Sequence, residues 1–194
     1  PAYEVLEDEA LEVFAVIRVD RVGDVGVQLG APLVVAFGAV DRWVGVVPEA
    51  VAEGAGCRRL EEDDLPAVLE LARHARDIGI GLTIDSEEAH RFEMWLGIFE
   101  RIYRDPSLKG WDGLGVALQT YQRRGRDGLR FLIDLAADVG RRIPVRLVKG
   151  AYWDSEVKWA QEQGLESYPV FTRKSHSDIS YLAAARAALD AGDR

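Results

Sequence analysis

The sequence predicts an α/β protein built on a parallel sheet, and three observations carry that prediction. From Leu65 onward the spacing of apolar residues alternates in a regular order, helix then strand. The strand segments are almost continuously apolar, the pattern of strands covered on both faces. Polar residues at the strand ends recur at about one strand-plus-helix unit, 34 residues from Asp85 to Gln119 and 27 from Gln119 to Arg146. That order fits either an open doubly wound sheet or an arc of a (β/α)8 barrel.

Taken along the chain, residues 4–60 are the hardest to parse. VFAVIRVDRVGDVGVQLGAPLVVAFGAVDRWVGVV is rich in Val and Gly and reads as β structure without regular alternation. Residues 1–60 are therefore set apart as an uncertain segment, inserted or misjoined, from a β/α unit over 61–194. The first helix follows the acidic run 61–64 and sets Leu65, Val68, Leu69, Ala72 and Ala75 on one face. Residues 80–84 form a strand ending in Asp85. Ala89, Phe92, Leu96, Phe99 and Tyr103 then mark a second helix, ended by Asp105-Pro106. Residues 113–121 are the next strand, and 128–139 the next helix, with Gly140 as its stop. Residues 143–148 give a third strand, 155–163 a helix, and 177–191 a last helix capped by Ser177 or Asp178.

Composition bounds the function. The chain has 194 residues, 48% hydrophobic, enough for one sizeable core. With 33 acidic against 24 basic residues the net charge is -9, which argues against a nucleic-acid surface, since phosphate binding needs clustered Lys and Arg. Cys57 is the only cysteine, so no internal disulfide forms, which fits a reducing cytoplasm. The start, PAYEVLEDEALEV, lacks the basic and apolar regions of a signal peptide, and no stretch reaches transmembrane length.

In either parallel architecture ligands bind at the carboxyl ends of the strands. Asp85 and Ser86 end the first strand, Gln119, Tyr121 and Gln122 the second, and Arg146 and Lys149 the third, before Tyr152 and Trp153. An isoalloxazine ring suits this set: Gln119 offers an amide edge to pyrimidine carbonyls, Arg146 a cation near N5, and the aromatics a wall against water. Lys149-Gly150-Ala151 is a turn that brings backbone amides and an ammonium to a pyrophosphate. The plainer use of a strand-end Asp, Gln or Arg is capping or ion pairing, and Tyr152 and Trp153 also serve as packing. His74, His90 and His176 lack ligand spacing, so no metal site is expected. GIGLTI and GLGVAL begin strands and do not fit G-x-G-x-x-G, and no nucleophile elbow is present.

Over residues 65–186 the segments LARHARDIGIGLTIDSEEAHRFE, GWDGLGVALQTYQRR and RRIPVRLVKGAYWDSEVKWAQEQGLESYPVFTRKSHSDISYLAAAR follow one another as in the proline dehydrogenase domain of bifunctional proline utilisation proteins. RLVKGAYWDSE followed by YPVFTRK is the most specific part of this resemblance. It implies part of a distorted (β/α)8 barrel that binds FAD noncovalently and oxidises L-proline to Δ1-pyrroline-5-carboxylate, by hydride transfer from C5 of proline to N5 of FAD. Asp85, Leu147 and Tyr152 would line the proline pocket. Gln119, Arg146, Val148, Lys149, Gly150, Ala151, Trp153, Thr172 and Lys174 would hold the flavin or its phosphates. Asp85, Arg146 and Tyr152 are the catalytic candidates. Electrons would pass to a membrane quinone, from a cytoplasmic protein peripheral to the inner membrane face.

The departures from that pattern carry expectations too. The resemblance places a KLSAL strand before a PRYE motif, whereas this chain starts at PAYE, and 82 residues separate Tyr3 from Asp85 where the family has far fewer. It also implies further strands and an arginine pair for the proline carboxylate, beyond Arg194. A closed barrel takes about 250 residues. The expectation is an incomplete barrel whose isolated chain binds FAD weakly and does not oxidise proline, with unpaired strand edges that favour a homo-oligomer. The rival reading is a non-catalytic half-barrel serving as a structural or interaction module.

Overall fold

The computed structural model describes residues 62–192 throughout and, before them, the backbone of four short strands. These are β1 (Val16–Arg18), β2 (Gln28–Leu29), β3 (Leu33–Phe37) and β4 (Trp43–Pro48). Then come α1 (Leu65–Asp77), β5 (Leu82–Asp85), α2 (Phe92–Tyr103), β6 (Leu114–Gln119), α3 (Gly125–Val139), β7 (Val145–Val148), α4 (Trp153–Glu162) and α5 (Lys174–Gly192). The expectation that residues 1–60 are inserted or misjoined lies outside the described residues.

The strands form one mixed sheet in the order β2-β3-β4-β1-β5-β6-β7. β5, β6 and β7 are parallel, in a register that aligns Asp85 with Ala117 and Ala117 with Arg146. The first four strands pair antiparallel with one another, and β1 joins β5 antiparallel through Arg18 and Thr83. The chain is thus α/β with a three-stranded parallel sheet.

Each parallel strand divides its residues by the two-residue period of the pleat. Leu82 and Ile84, Leu114, Val116 and Leu118, and Val145 and Leu147 face the helices. Thr83 and Asp85, Gly115, Ala117 and Gln119, and Arg146 and Val148 take the other face. On the helical side Trp95, Phe99, Ile102 and Tyr103 of α2 are fully buried, with Val68, Leu71, Ala72 and Ala75 of α1 and Leu129, Leu132 and Leu135 of α3. Burial of a side chain such as Phe99 or Ile102 stabilises by about 1.5–3 kcal/mol over its exposed state.

Several boundaries differ from the sequence reading, for physical reasons. Ala89 lies in a 3-10 turn (Ala89–Arg91) ahead of α2. α3 begins at Gly125 and α4 at Trp153, each before its expected start. α5 begins at Lys174, so neither Ser177 nor Asp178 caps it. Its first turn, Lys-Ser-His-Ser, carries no apolar spacing and could not be seen by periodicity. β6 ends at Gln119, leaving Tyr121 in the turn beyond it. β7 is half-buried along its length, unlike the fully buried β6. Gly140 does end α3, at φ 69° in the left-handed region that glycine adopts freely.

Candidate functional site

The parallel register gathers the strand-end residues into rows on the face away from the helices. Asp85, Ala117 and Arg146 make one row, and Gln119 and Val148 the next. Arg146 Nη2 donates to Asp85 Oδ1 at 2.5 Å, reaching over the methyl of Ala117. Their side chains are 31% and 15% exposed, which makes the pair partly desolvated. Burial raises the Asp85 carboxyl above its ordinary range, and the Arg146 hydrogen bond and charge oppose that rise.

Gln119 is buried, and its amide ties two loops together. Its Nε2 donates to the carbonyls of Ser86 at 2.9 Å and Glu87 at 3.2 Å, while Oε1 accepts from the Ala151 amide at 3.2 Å. Gln122 Nε2 adds a third bond to the Glu87 carbonyl at 3.1 Å. The Ser86 hydroxyl and Gln122 Oε1 are buried at these strand ends without a protein partner.

Beyond β7, the segment 149–153 curls against Tyr121. Gly150 takes φ 150°, where a Cβ would lie 2.3 Å from Tyr121 Cδ1. The Tyr152 amide donates to the Tyr121 hydroxyl at 3.1 Å. Tyr152 then precedes α4, and Trp153, partly exposed, donates from Nε1 to the Phe171 carbonyl at 3.1 Å. Lys149 and Lys174 both reach Asp178, at 2.6 and 2.8 Å, so two ammoniums share one carboxylate at the surface. These bonds lower the Asp178 carboxyl below its ordinary range and raise Lys149. Thr172 is exposed just ahead of Lys174.

The structure therefore brings Asp85, Gln119, Arg146, Val148, Ala151 and Tyr152 to one end of the sheet, with Lys149 and Lys174 joined through Asp178. Leu147 is the exception. It points to the helical face with Leu118, among the core side chains, because it alternates with Arg146 and Val148. Its assignment to the proline pocket rests on the family resemblance and not on the alternation of the strand.

The sequence sets Tyr121 at a strand end without revealing its partners, and it gives no sign of Asp178 as a counter-ion to Lys149, while Glu156 lies outside the strand-end candidates. Glu156 is buried on α4 and accepts a hydrogen bond from the Ala89 amide. The available signal was its i,i+4 spacing with the buried Ala160. Burial pushes the Glu156 carboxyl up, the Ala89 amide pulls it down, and the Glu88 charge pushes it up again. A carboxyl raised in the folded state stabilises below its unfolded value and loses that contribution as pH rises. Glu156→Gln, which mimics the protonated acid, is therefore expected to raise the thermal midpoint at neutral pH. The gain should vanish as pH falls below 4.5, and a midpoint lowered at neutral pH would show that the charge itself is needed.

A parallel β/α sheet with polar groups converging at its carboxyl end places the chain among the α/β proteins, a class whose ligands bind at the strand ends. The chain matches the proline dehydrogenase family over residues 6–194, and it belongs to that family. Bifunctional protein PutA of Salmonella typhimurium is 49% identical over 131 residues, 68% of this chain and 10% of that protein. The Rhizobium meliloti protein of the same name is 52% identical over 124 residues, 64% of this chain and 10% of that protein. Among solved structures, a variant of Bradyrhizobium japonicum Proline Utilization A superposes with a TM-score of 0.64 at 47% identity, over 66% of this chain and 13% of that one. Proline utilization A from Bdellovibrio bacteriovorus, inactivated by N-propargylglycine, gives 0.62 at 27% identity, over 68% and 14%. The chain spans about a tenth of the length of the curated relatives it matches.

Proposed function

We propose that this chain carries the flavin-facing part of a proline-oxidising site, as an arc of a (β/α)8 barrel whose inner face is the Asp85, Ala117, Arg146 row. The observation that carries the reading is the Asp85–Arg146 pair, a cation held in fixed register beside the Gln119–Val148 row. The lysine pair at the adjoining turn, exposed and on one side of the sheet end, fits a phosphate-bearing ligand. When bound, FAD supplies the acceptor for a hydride from L-proline.

The residues divide that task by their chemistry. Arg146 presents a fixed cation toward the ring system, and Val148 an apolar contact. Lys149 and Lys174 bind the phosphates by charge, with Gly150, Ala151 and Thr172 beside them. Trp153 shields one side from water. Gln119, with both ends of its amide bonded to backbone, shapes the loops around the ligand. Asp85 and Tyr152 face the substrate, and Asp85 also holds the Arg146 guanidinium in place. Among the described residues no helix is long and apolar enough to cross a membrane.

Titration of the chain with FAD and with riboflavin, at low and high salt, tests the reading. FAD is expected to bind more tightly than riboflavin, by about tenfold, with the advantage shrinking as salt screens the lysines. Equal, salt-independent affinities would remove the phosphate role from Lys149 and Lys174. The rival, a non-catalytic interaction module, draws on the exposed Ile179, Leu182 and Leu189 of α5, and a colourless oligomer that binds no flavin would favour it.

A further inference from the structure

We propose that Tyr121 is a positioning residue for the flavin site, the post that fixes the turn 149–152 and through it Lys149, Ala151 and Tyr152. The inference rests on the flavin reading above and adds to it a residue with no assigned role there.

Four contacts converge on this one side chain and its peptide. The Tyr121 amide donates to the Lys149 carbonyl at 2.7 Å, and the Tyr121 carbonyl accepts from the Phe171 amide at 2.9 Å. Its hydroxyl accepts from the Tyr152 amide at 3.1 Å, and its ring fills the space that a side chain at residue 150 would occupy. Tyr121 thus joins the β7 turn to the segment leading into α5, which carries Lys174. The ring is 3% exposed, so it has no room to step aside. Burial, with the charge of Glu156 adding to it, pushes the phenol further up, so the hydroxyl remains a neutral acceptor for the Tyr152 amide.

The physical logic is that of a supporting shell, in which a contact group works only as well as the packing that locks it. Lys149 and Tyr152 lie on a turn whose glycine conformation most residues avoid. Such a turn persists when its surroundings determine it. Tyr121 supplies that determination from both sides, by ring contact at Gly150 and by hydrogen bonds at Lys149 and Tyr152.

Tyr121→Phe keeps the ring and removes only the hydroxyl. Amide exchange within 149–152 is expected to quicken by roughly tenfold, since the Tyr152 amide loses its acceptor. FAD affinity should fall by a similar factor, with a changed visible spectrum of the bound flavin. Ile98→Val, a substitution in the α2 core far from the turn, serves as the stability control and should leave FAD affinity and spectrum as in the wild type. If wild type and Tyr121→Phe bind FAD with equal affinity and the same spectrum, the inference falls and the flavin reading stands. If the wild-type chain binds no FAD, the flavin reading falls and the inference with it.

Discussion

Gly150→Ala is expected to lower the stability of the chain by about 2–3 kcal/mol and to abolish the FAD binding proposed for it. The new methyl would lie 2.3 Å from Tyr121 Cδ1 and 2.4 Å from both Cε1 and Cγ, well inside contact distance. Neither the proximal ring atoms nor the backbone can yield easily, because Tyr121 is buried and hydrogen-bonded to Tyr152. A φ of 150° adds backbone strain for any residue with a Cβ. For a chain of this size the loss corresponds to a fall in thermal midpoint of roughly 4–12 °C. Tyr121→Ala in the same chain should return part of that stability by making room for the methyl, but not the flavin affinity. A single Gly150→Ala variant that melts with the wild type would show that the turn is not held as described.

Arg146→Met should come next in effect. Breaking a fully buried pair from one side costs about 3–5 kcal/mol, and the residual exposure of both side chains here reduces that to about 1–2 kcal/mol. The cost is linked to pH in a defined direction. With Arg146 gone, the groups that pull the Asp85 carboxyl down are removed while burial still pushes it up. A carboxyl raised in the folded state stabilises when protonated, below its unfolded value of 3.8, and loses that contribution as pH rises. Arg146→Met should therefore be most destabilised at neutral pH and approach the wild type in acid. Asp85→Asn placed with it should recover much of the neutral-pH loss, because no buried charge is left unpaired. Urea unfolding at neutral pH and near pH 4 measures both effects. A loss of the same size at both pH values would assign the contribution of Arg146 to packing.

The parts legible in the sequence were those governed by local periodicity. Strands β5, β6 and β7 announced themselves as short apolar runs, with Asp85 and Gln119 at the ends of the first two and Arg146 within the third. The face of each residue is equally available, since a period of two sends Leu147 to the core side between Arg146 and Val148, while its assignment to the proline pocket comes from the family resemblance alone. The start of α5 was hidden by a polar first turn. The roles of Tyr121 and Glu156 depend on partners 29 to 67 residues away, Tyr152 and Gly150, and Ala89, which no local pattern reveals, whereas Asp178 pairs with Lys174 at i,i+4 and only its bond to Lys149 is distant. A buried carboxylate or a ring against a glycine becomes visible only once the chain has brought distant segments together.

The row Asp85, Ala117, Arg146 makes the sheet a measuring rod. Hydrogen bonding sets neighbouring strands about 4.8 Å apart, so two outer strands flanking a third are held about 10 Å apart whatever their side chains. One short acid and one long base close that fixed gap, provided that the residue between them is no taller than a methyl. Charge position is then dictated by the backbone lattice, and a guanidinium set in this way keeps its place while the surrounding loops change.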